Sequence, residues 1–107
     1  MAARKPKPRT LARARARAQQ QLVRDLEQLA RLEPGGAPER PLPIESPALV
    51  EPIANAHPCP LCQGALRLDE HAVQEVGGEL LRVAHLTCTT CGTNRRLWFR
   101  LAAPAIN

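Results

Sequence analysis

Two short stretches decide the reading of this chain: Cys59-Pro60-Leu61-Cys62-Gln63-Gly64 and Cys88-Thr89-Thr90-Cys91-Gly92. They hold all 4 cysteines of the 107 residues, in two C-x₂-C pairs. Cysteines with two residues between them point both sulfurs to one side of a tight loop. Four thiolates can close a tetrahedral shell around one Zn²⁺, and paired C-x₂-C turns are the sequence pattern such shells use. The gap between the pairs is longer than is usual for the generic pattern.

Between the pairs the chain reads as a hairpin. Apolar and polar residues alternate from Ala65 to Val76, and Gly77-Gly78 suits a two-residue turn. A second strand from Glu79 to about Thr87 returns the chain to Cys88. This turn would set Glu70 opposite His85, a cross-strand surface pair. A third strand is expected over 95–101, RRLWFRL. Gly64 and Gly92 are read as positions where positive φ costs little. Closing so long a loop costs chain entropy, so metal binding and folding should be linked and the metal-free domain largely unfolded.

Cysteine pairs, hairpin and final strand together resemble a zinc ribbon over about residues 57–101. The resemblance implies one structural zinc on Cys59, Cys62, Cys88 and Cys91, held by two zinc knuckles. One departure is Gln63, which stands where glycine is common. Family members serve many roles, so the resemblance speaks to fold and ligands and not to function. The same cysteines are compatible with two disulfides, with a redox C-x-x-C pair, or with iron in a similar four-sulfur site. A closed shell of four cysteines leaves no open coordination position and argues against a catalytic metal. His57, beside the first knuckle, is read as an ordinary surface residue and not as a ligand. Arg95 or Arg96 is a candidate counter-charge for the thiolates.

Outward from this domain the composition changes. The net charge is +5, yet residues 59–107 are near balance. Residues 1–20 carry seven Arg or Lys and no acid, which suggests a polyanionic partner for that end. Residues 1–9 are expected as a disordered basic arm. Residues 10–33 read as a helix, with Thr10 as N-cap and Glu33-Pro34-Gly35-Gly36 as the stop. On a helical projection Arg13, Arg17, Arg24 and Arg31 form one stripe, and Leu22, Leu26 and Leu29 lie roughly opposite. Arg15 interrupts the apolar face, which leaves under two heptads of seam over 18–30. Residues 34–58 hold seven prolines and read as an extended linker, although apolar residues between Ile44 and Ile53 could dock on a neighbour. Residues 102–107 are a tail.

The expected architecture is therefore small α+β: a basic helix, a Pro-rich linker and a three-stranded antiparallel zinc ribbon. No stretch has the length of a membrane span, and paired cysteines without a secretory signal point to a reducing, cytoplasmic setting. The expected function is non-enzymatic. Nucleic acid or a transcription or translation complex would be bound through Arg13, Arg17 and Arg24 of the helix. On the last strand, alternation would expose Arg96, Trp98 and Arg100 on one face, where Trp98 could stack on a base. The reading favoured for Trp98 itself is that it packs across the hairpin with the Arg stems covering it. The competing function is a protein-interaction adaptor, or self-association, through the apolar face of the helix.

Overall fold

The computed structural model describes residues 7–102; the ends of the expected basic arm and tail lie outside the described residues. Helix α1 runs Pro8–Leu32, strand β1 Leu42–Ile44, helix α2 Val50–Ala56, and strands β2, β3 and β4 run Leu66–Val76, Glu79–Cys88 and Asn94–Leu101. The class is α+β, with four strands rather than three. They form one mixed sheet in the order β1-β4-β3-β2, with β1 parallel to β4 and the other pairs antiparallel.

The hairpin follows from its turn. Gly77 and Gly78 both have positive φ (60° and 82°), the conformation a tight two-residue turn between right-twisted strands requires. That turn pairs Val76 with Glu79 and, counting back, Glu70 with His85. A register irregularity follows between Leu68 and Glu70. Asp69 sits there, and its carboxylate accepts from Thr87 Oγ1 and, at 3.2 Å, from Arg67 Nε. Past it, Leu66 pairs with Cys88, so the hairpin ends bring the two cysteine turns together.

The fourth strand comes from the stretch read as an unstructured linker, which is corrected here. Its prolines sit where a missing N–H is tolerated. Pro43 lies in edge strand β1, Pro47 opens a short 3₁₀ turn (Pro47–Leu49), and Pro52 is in the first turn of α2. The Ser46 side chain caps the 3₁₀ turn by accepting from Ala48 N–H at 3.2 Å. Ile44, Val50 and Ala54 are then buried against one face of the sheet, with Leu66, Ala84, Leu86, Leu97, Phe99 and the sulfurs of Cys59 and Cys88. Docking gains apolar burial that the linker alone could not supply, and this overrides the extended preference of proline-rich chain.

The opposite face carries a second small cluster of Leu81, Val83 and Trp98, with Ala72 and Val76 packed against it. Trp98 pairs across the sheet with Val83 and is only 5% exposed. Of the two readings of Trp98, packing across the hairpin is the one found, and the exposed base-stacking face is not formed. Alternation does place Trp98 opposite Leu97 and Phe99, but the hairpin supplies enough apolar neighbours to bury both faces.

Helix α1 begins two residues before the expected Thr10 cap. Pro8 takes the first helical position, which its fixed φ suits, and Lys7 is the N-cap without a side-chain bond. The stop at Glu33-Pro34 falls as read. At that end the Arg40 guanidinium donates to Leu32 O at 2.6 Å, satisfying one of the orphan carbonyls. Ala30 is the one buried residue of the helix.

Candidate metal centre

The two cysteine turns are built alike. In the first, Gln63 N–H donates to Cys59 O at 2.9 Å; in the second, Gly92 N–H donates to Cys88 O at 3.1 Å. The residue that closes each turn has positive φ: Gln63 at 65° and Gly92 at 77°. Gln63 thus occupies the left-handed conformation itself, at a cost glycine would avoid. The expectation that Gly64 supplies this conformation is corrected. Gly64 is needed for a different reason: a Cβ there would meet Thr90 Oγ1 at 2.7 Å and Cys88 Sγ at 3.0 Å. It lets the two turns approach each other. The approach is fastened by Thr89, whose N–H and Oγ1 both donate to Ala65 O, at 2.9 and 3.0 Å.

All four sulfurs lie within 4.8 Å of one another. Cys59 Sγ stands 3.7 Å from Cys91 Sγ, and Cys62 Sγ stands 3.4 Å from Cys88 Sγ. No two sulfurs are bonded, and all four cysteines are free thiols. A tetrahedral Zn²⁺ with Zn–S near 2.3 Å holds its sulfurs about 3.8 Å apart, so the cluster is consistent with a zinc-binding site. Cys59 and Cys88 are buried while Cys62 and Cys91 face solvent.

Electrostatics point the same way. Leu61 N–H lies 3.4 Å from Cys59 Sγ, Gly64 N–H 3.4 Å from Cys62 Sγ, and the Thr90 and Cys91 N–H groups 3.4 Å from Cys88 Sγ. The Cys91 and Thr90 N–H groups draw the Cys88 thiol down to about 6. The Thr93 hydroxyl, 3.0 Å from Cys91 Sγ, and the Thr93 backbone lower Cys91 as well. Cys62 behaves oppositely. The Gly64 N–H favours its thiolate, but the adjacent Cys88 and Cys91 sulfurs, burial and Cys59 push it up to about 12. Four sulfurs this close cannot all ionise against one another, and a divalent cation among them removes the conflict.

Three neighbours take roles other than metal chemistry. His57 Nδ1 hydrogen-bonds Ile53 O at 2.8 Å, at the C-terminal end of α2. Arg95, expected beside the thiolates, is 8% exposed; it donates to Pro58 O at 3.0 Å and to Glu33 at 3.4 Å. It ties the entry of the first turn to the end of α1, a role the sequence did not signal because both partners are distant in the chain. Arg100 pairs with Glu79 through both Nε and, at 2.9 Å, Nη2. Of the three strand residues expected to meet nucleic acid, Trp98 is buried, Arg100 is paired and Arg96 is exposed. On α1, Arg13, Arg17 and Arg24 are all exposed.

The fold and site together define a small α+β chain with a four-cysteine cluster of metal-binding geometry. Compared with family models, with curated proteins and with solved structures, the chain finds no match in any of the three. No helix among the described residues is long and apolar enough to cross a membrane.

Proposed function

We propose that this chain is a non-enzymatic binding protein of zinc-ribbon type, with one structural Zn²⁺ on Cys59, Cys62, Cys88 and Cys91, and that α1 binds nucleic acid or a nucleic-acid complex. The convergence of four sulfurs, two from each end of a long hairpin, supports the structural metal. Bound there, zinc cross-links the two turns, and with all four positions taken by sulfur it offers none to a substrate.

One observation carries the binding reading. Residues 7–17 hold Lys7, Arg9, Arg13, Arg15 and Arg17 with no acid, and all are exposed on a helix that projects from the domain. Five cations at a helix N-terminus oppose the macrodipole and one another, a cost that a polyanion along this face relieves. With Trp98 buried and Arg100 paired, the binding face reduces to Arg13, Arg17 and Arg24, with Arg96 as a further contact. Backbone contacts of this kind favour charge over sequence.

The test is fluorescence anisotropy with labelled duplex and single-stranded oligonucleotides over a salt series. Affinity should fall steeply with salt, and changing Arg13, Arg17 and Arg24 together to Gln should reduce the log–log slope by about 2 to 3. An affinity unchanged between low and moderate salt would overturn the reading. The second reading, an adaptor that uses the apolar face within 18–30, is favoured by Leu22 and Leu29, which are exposed at 57% and 58%.

A further inference from the structure

Helix α1 leaves an ordered apolar seam uncovered. Its exposed leucines are Leu11, Leu22, Leu29 and Leu32. Leu22 and Leu29 are seven residues apart, and Leu11 and Leu32 are three heptads apart, three residues out of phase with the first pair. This is an a/d pattern, with Arg15 filling the a position before Leu22 and with Ala18 and Asp25 filling the d positions between Leu11 and Leu32. The side of α1 that meets its own domain is elsewhere. Glu27, Ala30 and Arg31 line a groove against β4, and at 100° per residue they lie roughly opposite Asp25, Leu29 and Leu32. A second helix can therefore reach the seam without displacing the domain.

The two charged seam residues select the partner. Arg15 beside apolar neighbours is a flaw in any isolated seam, and Asp25, whose Oδ1 accepts from Gln21 Nε2 at 2.9 Å, keeps its charge without a cationic partner in the seam. In an antiparallel pair of α1 helices, a positions of one pack against d positions of the other. Setting Leu22 against Ala18 of a second copy sets Leu29 against Leu11, and Arg15 against Asp25. Every layer then pairs residues whose numbers sum to forty, which also sets Leu32 against Pro8, so one register covers each leucine with an apolar residue and joins both charges, twice over by two-fold symmetry. The charged residues of 7–17 are all basic, while the second half carries Asp25, Glu27 and Glu33 against Arg24 and Arg31. Arg13, Arg17 and Arg24 stay on the outside.

We propose that α1 pairs antiparallel with α1 of a second copy of this chain, with Arg15 facing Asp25 in two equivalent salt bridges. The pairing would cover a helix that keeps only Ala30 buried against its own domain. It stands independently of what the basic face binds.

The test is sedimentation velocity on the full-length chain with zinc supplied, over a concentration series. The wild type should reach a dimer, about twice the 11.7 kDa of one chain. Arg15→Asp alone and Asp25→Arg alone should each weaken dimerisation at least about tenfold, because each sets like charges together. The exchange of both, Arg15→Asp with Asp25→Arg, should restore it. Trp98 fluorescence reports in each variant that the domain remains folded. A parallel pair would set 15 against 15 and 25 against 25, so single variants that dimerise as the wild type does would overturn the register. A wild type monomeric at every concentration, or a double variant that fails to recover, would overturn the proposal.

Discussion

The cysteine end of the sheet and helix α1 are stabilised in opposite ways. At the cysteine end each turn is closed locally, but the contacts that hold the two turns together are long-range. Leu66 meets Cys88, Thr89 meets Ala65, and Arg95 reaches back to Pro58 and Glu33. Helix α1 is local, its hydrogen bonds spanning one turn, and it rests on the domain only near Ala30. The first region pays loop-closure entropy and needs a cross-link to offset it; the second needs only good helix formers and something to cover its leucines. A perturbation of one should therefore leave the other largely intact.

Metal removal is the strongest way to break the comparison. A chelator, or Cys88→Ser, should unfold the strands and abolish the near-ultraviolet signal of Trp98, while the helical ellipticity of α1 falls much less. Circular dichroism in both wavelength ranges measures this, and equal loss of the two signals would show that helix and domain are one cooperative unit.

A smaller effect tests the packing between the cysteine turns. Gly64→Ala sets a methyl group within 2.7 Å of Thr90 Oγ1 and 3.0 Å of Cys88 Sγ. It should lower domain stability by about 1–3 kcal/mol in chemical denaturation, the usual cost of overpacking, and leave α1 helicity unchanged. An unchanged midpoint would mean that the turns are not in tight contact.

The smallest change distinguishes the two turns from each other. Gln63→Gly relieves the left-handed strain that Gly92 already avoids, so it should stabilise the domain by about 1 kcal/mol. A loss of stability in the same denaturation series would mean that the Gln63 side chain makes a contact worth more than the strain.

The sequence by itself determined what local chemistry determines. Two C-x₂-C turns placed the four cysteines of the cluster, Gly77-Gly78 set the hairpin register as far as Glu70 and His85, and Glu33-Pro34 ended the helix. Each rests on residues close in the chain, where φ preference and side-chain spacing act directly. Tertiary structure decided the rest. Whether residues 42–56 stayed extended or became β1 and α2 depended on a sheet face available to bury Ile44, Val50 and Ala54. Whether Trp98 faced water depended on Leu81 and Val83 across the sheet. That Gly64 is kept for clearance followed from how closely the second turn approaches the first. Burial and close approach are properties of distant residues brought together, and local pattern holds no record of them.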